Sequence, residues 1–463
     1  MRAGAASLVG SADVITVPDP AALLASLRAR GYAHLPDVDV RIGESVLNSA
    51  IADSSERFVG IEPVILSDGG PYRTSAGPVV DRIARRLGCP VVQLGTGAVR
   101  ADEETVERAV AEVGAKRLLI SVGAGTLTDI AKVAAQRTGG RHVAVQTACS
   151  INGFIADRSV LVIAGAKRTV VSRWPDALVA DSDILAAAPA NLNLAGVGDL
   201  STVPNAVAEW QLAARLGHGP AYDPAVVEQV LAAMPALPTL ARAARDAEPA
   251  GLADLARLLA ASGLSMGIVG STAPASGSEH AISHLLEMAR SHRGRPAAAH
   301  GMQVTVATRL AVRVWQLVDR TIRSTRARVR VPDESTSRDA VTRAFAQLGA
   351  QTVEECWTAY SAKRNWLLGH QSDVEAVVTD WAAFVQSVTL PSPKQFDEVS
   401  HASGLPTRAE DLGSGYDDDL MFWALRNCHL LRERISIVDL ADLLGVWSDE
   451  TARSILADAR EAG

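Results

Sequence analysis

The sequence predicts an α/β domain built on a parallel sheet, followed by an all-helical domain. From about residue 60 to 185, short apolar runs alternate with stretches of helical periodicity, the pattern of βαβ units. Beyond about 185 the β-branched alternation disappears and long amphipathic segments replace it. Between the two parts the run AAAPANLNLAG supplies turn chemistry near residues 185–195. The expected organisation is an N-terminal extension over 1–45, the α/β domain over 46–190 and the helical domain over 191–463.

Residues 1–45 are weakly patterned and read as a lead into the fold. Strands are expected at Pro63–Ser67, Val91–Leu94, Arg117–Val122 and His142–Gln146, where apolar and β-branched residues run together. Between them Ala76–Leu87 and Glu103–Val113 repeat apolar residues at helical spacing with charges opposite, and Asp129–Arg137 reads as a third helix. Leu161–Val171, with Gly165 in the middle, reads as a hairpin, and Ala177–Ala180 as a last strand. Helical periodicity then marks Asp199–Leu216, Pro224–Met234, Leu252–Ala261, His280–Ala289, Met302–Val318, Arg338–Leu348 and Asp373–Val388.

Composition bounds the function classes. The 463 residues are 48% hydrophobic and 21% charged, which fits a folded globular chain and excludes a disordered or fibrous one. Length allows about two to four domains. A net charge of −7, with no basic block, gives no nucleic-acid footprint. The four cysteines stand singly at Cys89, Cys149, Cys356 and Cys428, without a CxxC pair, so neither a disulfide framework nor a cysteine zinc site is expected. No run of 18 apolar residues is present, and the N-terminus is too broken for a secretory signal. The expectation is a soluble cytoplasmic protein with no membrane partner.

Three segments carry chemistry. Gly123-Ala124-Gly125-Thr126 follows an apolar strand and leads into the helix that contains Asp129. Glycines at such a turn let a backbone approach a pyrophosphate, whose charge the helix N–H groups and dipole receive; an ordinary structural turn has the same residues. Asp68, at the end of the first expected strand, either accepts a ribose hydroxyl or forms a turn ahead of two glycines. In the second half Asp199 opens a helix, His280 and His284 lie one helical turn apart, and His300 begins another helix. One carboxylate with two or three imidazoles from separate helices suits a zinc-like divalent ion with an open position.

Taken together, these blocks resemble the sn-glycerol-1-phosphate dehydrogenase family, within the superfamily of iron-containing alcohol dehydrogenases, glycerol dehydrogenases and dehydroquinate synthases. The resemblance runs from about Val40 to Leu444. Its markers are VRIG near residue 40, SDGGPYRTSAG at 67–77, GAGTLTDIAK at 123–132, QTACSINGF at 146–154 and WPDALVADSDILAAAP at 174–189. They continue with AGVGDL at 195–200, GSTAPASGSEHAISH at 270–284, AAHGMQV at 298–304 and LRERISIVDLADLLG near the C-terminus.

The resemblance implies a dehydroquinate synthase-like fold, with a dinucleotide-binding α/β domain, a helical domain and a metal in the cleft. By position Asp199, His280 and His300 are the metal ligands. His284 stands beside the substrate, with Asn152 and Lys167 as further catalytic candidates. Asp68, Gly123, Ala124, Gly125, Thr126, Asp129, Thr147 and Ser150 are the implied coenzyme residues. Asp68 favours NAD(H) while Arg73 is placed to receive a 2′-phosphate, so NADP(H) stays open. Zinc is the expected ion, with nickel or iron in some relatives, and a homodimer or larger homo-oligomer is the expected assembly.

The implied reaction is hydride transfer between NAD(P)H and a small hydroxy or keto compound. The alternatives are a cyclase or lyase using NAD internally, and a catalytically degenerate relative. Three positions depart from the family pattern. Asn152 replaces the aspartate of SxDG, Ala273 replaces the arginine of SRPASG, and Val203 lies where DLLAKYTA has its lysine. Losing two phosphate-pairing cations costs charge-assisted bonds, which implies an altered substrate or an anion held elsewhere, with Arg158, Lys167, Arg168 and Arg173 as candidates.

Overall fold

The structure, a computed structural model, describes residues 16–33, 35–69, 73–97, 99–324, 328–390 and 392–462. Six strands form one parallel sheet: β1 (Asp39–Gly43), β2 (Pro63–Asp68), β3 (Val91–Leu94), β4 (Leu118–Gly123), β5 (Arg141–Gln146) and, after a hairpin, β8 (Ala177–Asp181). Their order is β1-β8-β5-β4-β2-β3. The central β4 is buried at every residue, because helices cover both faces and each side chain of LLISV must be apolar or small. Helices α2 (Leu47–Arg57) and α3 (Arg73–Leu87) cover one face, while α4 (Glu103–Val113) and α5 (Gly125–Thr138) cover the other.

The strand order reverses between β2 and β4, which pair in register from Pro63↔Leu118 to Leu66↔Ser121. Ligands of open α/β sheets bind outside the strand carboxyl ends at such a switch point. The sequence expectation is amended at its front. VRIG is no part of a loose extension: β1 pairs with β8 from Asp39↔Ala177 to Gly43↔Asp181, so the sheet begins before residue 45. A short helix α1 (Pro20–Ala29), capped by Asp19, precedes it and packs into the apolar cluster with Leu23, Leu24 and Leu27. A five-residue edge strand with half-buried side chains offers too little alternation to be read from periodicity.

The antiparallel hairpin β6 (Arg158–Ile163) and β7 (Ala166–Val171) leaves the sheet and straps the α/β part to the helices. Arg168 does much of this, donating to Glu355 Oε1 at 2.8 Å, to the Glu355 carbonyl at 3.1 Å and to the Leu431 carbonyl at 3.2 Å. At the hairpin tip Gly165 has φ +78°, and a Cβ there would lie 2.4 Å from Thr352 Oγ1.

After α6 (Ser182–Ala186) the chain is helical. The helices that build the site are α7 (Ala190–Ser201), α8 (Val203–Leu216), α9 (Pro224–Ala232), α10 (Leu237–Arg245), α11 (Pro249–Val269), α12 (Ser278–His292) and α13 (His300–Ser324), with further helices from Glu334 to Glu461. Asp199–Leu216 is therefore not one helix. The chain breaks at Thr202, and Pro204 occupies the first turn of α8, where its missing N–H costs nothing. Asp199 lies near the end of α7 rather than at a helix start. The segment 373–388 likewise divides at Asp380 into Gln371–Thr379 and Trp381–Ser387.

Pro224–Arg245 and α11 are long and apolar enough to cross a membrane by length and composition alone, but most of α11 is buried and its leucines and alanines pack into the core. One apolar cluster joins α7, α10 and α11 to Cys149, Phe154 and Ile155, and to Leu178 of β8, so the two halves share a continuous interior.

Candidate functional site

Asp199 meets its partners because glycines let α7 approach its neighbours. A Cβ at Gly196 would lie 2.1 Å from the Cys149 carbonyl oxygen, and one at Gly198 would lie 2.2 Å from that of Gly301. A Cβ at Gly301 would lie 1.6 Å from the Ala195 carbonyl oxygen. Backbone therefore touches backbone where α7 meets the start of α13, and Asp199 and His300 arrive side by side.

The Asp199 carboxylate is 1% exposed. Its Oδ2 accepts the Asn152 backbone N–H at 2.8 Å, while its Oδ1 is buried with no hydrogen-bond donor among the described residues. Toward Oδ1 point His280 Nε2 at 3.5 Å and His300 Nε2 at 3.8 Å. All three candidate ligand atoms lie within 4.8 Å of one another.

Each imidazole is fixed from behind. Glu279 Oε1 lies 2.8 Å from His280 Nδ1, and Glu287 Oε1 lies 2.9 Å from His300 Nδ1. Carboxylates in that position turn the Nε2 lone pairs forward and raise ring basicity. Glu279 is itself held by the Gly277 N–H and by Asn205 Nδ2, both at 2.5 Å. Glu287 is held by Lys167. Burial works to raise the Glu287 pKa, but Lys167 and His300 outweigh it and hold the carboxyl down at about 2.

These residues fit a divalent ion. Two ligands each about 2 Å from a tetrahedral zinc stand about 3.3 Å apart. The observed gaps are 3.5 and 3.8 Å. A buried carboxylate oxygen without a donor, facing two backed imidazoles, is a donor set whose chemistry and spacing suit a divalent cation.

His284 lies on the same face of α12, its ring centroid 6.3 Å from that of His280 and 6.0 Å from that of His300. Burial, then the charge of Lys167 and the neighbouring imidazoles, pushes its pKa well below the ordinary histidine value. It is therefore a neutral ring at physiological pH, able to accept a proton.

The predicted coenzyme residues line up at the carboxyl ends of three adjacent strands. Asp68 ends β2, Gly123–Thr126 joins β4 to α5, and Thr147 and Ser150 follow β5. The glycines also serve packing: a Cβ on Gly125 would lie 2.3 Å from Ile151 Cδ1, and one on Gly123 would lie 2.7 Å from Leu127 Cδ2. Ser150 Oγ accepts the Gly125 N–H at 3.3 Å. Asp129 is turned to a structural pairing, 3.0 Å from the fully buried Lys132, whose ammonium also holds the carbonyls of Gly153 and Arg158. Residues 70–72 and the Arg73 side chain lie outside the described residues.

Asn152 is 7% exposed; its Nδ2 donates to Ser262 Oγ at 3.2 Å, and its backbone N–H positions Asp199. Lys167 points at Glu287. The other cations considered for an anion are engaged: Arg158 with Asp157 at 2.9 Å, Arg168 with Glu355 at 2.8 Å and Arg173 with Asp176 at 2.8 Å. Ala273 is 2% exposed in an apolar cluster, and Val203 is 1% exposed.

Sequence reasoning missed both carboxylates behind the imidazoles. A signal existed: His280, His284 and Glu287 follow an i, i+4, i+7 stripe, and Glu279 immediately precedes the first histidine. It also missed Arg432 and Arg434, which reach back to the 272–277 loop, with Arg434 2.5 Å from Thr272 Oγ1 and Arg432 3.3 Å from Ser276 Oγ.

A family profile described as iron-containing alcohol dehydrogenase matches residues 46–189. A glycerol-1-phosphate dehydrogenase of Halalkalibacterium halodurans is 30% identical over 280 residues, 59% of this chain and 69% of that one. One from Haloquadratum walsbyi is 33% identical over 284 residues, 61% of this chain and 78% of that one. Among solved structures, a probable glycerol dehydrogenase from Sinorhizobium meliloti superposes with a TM-score of 0.57 at 18% identity, covering 90% of this chain and 98% of that one. A 1,3-propanediol oxidoreductase gives a TM-score of 0.56 at 16% identity, covering 92% and 99%. At such identities the structures speak to the fold alone. With an open parallel sheet, a helical second half and a carboxylate meeting two imidazoles between them, the chain belongs to the glycerol-1-phosphate dehydrogenase family of iron-containing alcohol dehydrogenase-like proteins.

Proposed function

We propose that this protein is a metal-dependent oxidoreductase that exchanges a hydride between NAD(P)H and a small hydroxy or keto compound. The observation that carries the reading is the buried Asp199 Oδ1, which has no hydrogen-bond donor among the described residues and faces two imidazole nitrogens backed by carboxylates. Asp199, His280 and His300 would hold the ion, with zinc expected and nickel or iron as alternatives. When bound, such an ion polarises a carbonyl or acidifies a hydroxyl, and the nicotinamide supplies or takes the hydride.

The chain's own residues do the rest. Asn152 holds Asp199 in place through its backbone N–H. His284, uncharged and beside the candidate ligands, would accept a hydrogen bond from the substrate hydroxyl and pass its proton on, its lowered pKa disfavouring retention of that proton. Thr147 and Ser150 would flank the coenzyme, the N–H groups at the start of α5 would face its pyrophosphate, and the Asp68 carboxylate would accept a ribose hydroxyl. The apolar burial of Ala273 and Val203 supports a substrate other than simple dihydroxyacetone phosphate, or one whose anion is bound differently from the family's pattern. The four cysteines, all free, suit a reducing cytoplasm, and a homodimer or larger assembly follows the family pattern.

The test is to load the protein with zinc, nickel or ferrous iron and follow absorbance of NADH and NADPH with dihydroxyacetone phosphate, dihydroxyacetone and other small ketones. Coenzyme oxidation with at least one ketone is expected. Turnover of a sugar-type substrate without net absorbance change would move the assignment to the internal-NAD cyclase. A purified protein that binds none of these ions would favour the degenerate relative.

A further inference from the structure

The geometry assigns Lys167 as a positioning residue that orients His300 through Glu287, rather than as a group acting on the substrate; this rests on the metal-centre reading. Lys167 opens β7, on the hairpin that the α/β domain sends across to the helices. Its ammonium contacts Glu287 Oε2 on α12, and the other oxygen of the same carboxylate lies 2.9 Å from His300 Nδ1 on α13. The three side chains are only 20%, 13% and 22% exposed, so water screens the chain weakly.

The two imidazoles are supported differently. Behind His280, Glu279 is held by Gly277 and Asn205, both in the helical domain. Behind His300, Glu287 is held by a cation from the sheet domain. His300 is therefore the one candidate ligand whose orientation depends on how the hairpin docks. Without Lys167, Glu287 would be a largely buried carboxylate with only His300 and water to satisfy it, free to swing off the ring. The lysine thus fixes the carboxylate, the carboxylate fixes Nδ1, and Nε2 stays aimed at Asp199 Oδ1 at 3.8 Å.

The experiment titrates metal-free protein with zinc in competition with a chromophoric chelator, so that its readout is affinity and not turnover. Glu287→Gln is expected to bind zinc 10–100-fold more weakly than the unaltered chain, and Lys167→Met about tenfold more weakly. Lys167→Arg, which keeps the charge, is expected to recover most of that loss. In the Glu287→Gln background, Lys167→Met is expected to add little further loss, because both act along one path. Melting of the metal-free variants controls for folding; if Lys167→Met does not fold, Lys167→Gln carries the same expectation. Unaltered zinc affinity in Lys167→Met overturns the inference, and if reduction of ketones also collapses there, Lys167 acts on the substrate directly. Full additivity of the two substitutions overturns it as well. An unaltered chain that binds no divalent ion overturns the metal-centre reading itself, a separate result.

Discussion

Replacing Gly301 by alanine is expected to pull the candidate ligands apart without touching any of them. A Cβ at this position would lie 1.6 Å from the Ala195 carbonyl oxygen, and Cβ atoms are essentially never found within 3.0 Å of a neighbour, so α7 and the start of α13 must part by about 1.4 Å. Ala195 precedes Asp199 by one helical turn, and Gly301 follows His300 directly, so the displacement falls on the gap between those two side chains. That gap, now 3.8 Å, would open to about 5 Å. Metal–ligand distances tolerate only about 0.2 Å, so the site would lose a ligand. Zinc affinity should drop by at least about 100-fold, more than the loss of an outer partner costs. Overpacking of a rigid backbone contact should also remove about 3 kcal/mol of stability. Chelator competition reads the first effect and urea unfolding of the metal-free protein the second. Gly369→Ala serves as the control: it ends its helix with nothing within 4 Å of the added methyl, and should change neither measurement. A Gly301→Ala protein with the affinity and unfolding midpoint of the unaltered chain would refute the account of how α7 and α13 set the site.

Asp199→Asn keeps the shape but removes the anionic donor, and stoichiometric zinc by elemental analysis should be lost while the unfolding midpoint of the metal-free protein stays close to its original value. Asp397 lies 2.6 Å from both Arg309 and Arg313, and all three are buried. Asp397→Ala strands two guanidiniums and should cost about 3–5 kcal/mol in urea unfolding. His142 in β5 is buried, with Nε2 2.9 Å from Ser121 Oγ; burial, then Lys132 and Arg173, lowers its pKa from 6.5 to about 3. Below pH 6.5 the unfolded chain takes up a proton that the folded one refuses. Stability is therefore complete above 6.5 and falls as the pH drops through 3, by roughly 5 kcal/mol in all. His142→Leu should flatten that part of the pH–stability curve, and an unchanged slope would contradict the assignment.

The alternation of apolar strands and amphipathic helices determined the α/β half, because a sheet covered on both faces leaves near-continuous apolar runs such as LLISV. The histidine spacing in EHAISH determined that two imidazoles share a helix face, since helical geometry is local. Other features needed tertiary structure. The edge strand Asp39–Gly43 is a strand because β8 pairs with it, not because of its own pattern. The break at Thr202 has a local cause in Pro204, which cannot continue α7, but nothing local shows that the resulting helix end sets Asp199 beside His300. Lys167 carries no local sign that its partner is Glu287, more than a hundred residues further along the chain. Likewise the glycines at 196, 198 and 301 read from sequence as turn or helix-weakening residues. Only the approach of α7 to α13 reveals that a missing Cβ is what lets a carboxylate and an imidazole, distant in the chain, come within 3.8 Å. Local propensities write the elements into the sequence, whereas the site arises from long-range backbone contacts that no window of residues contains.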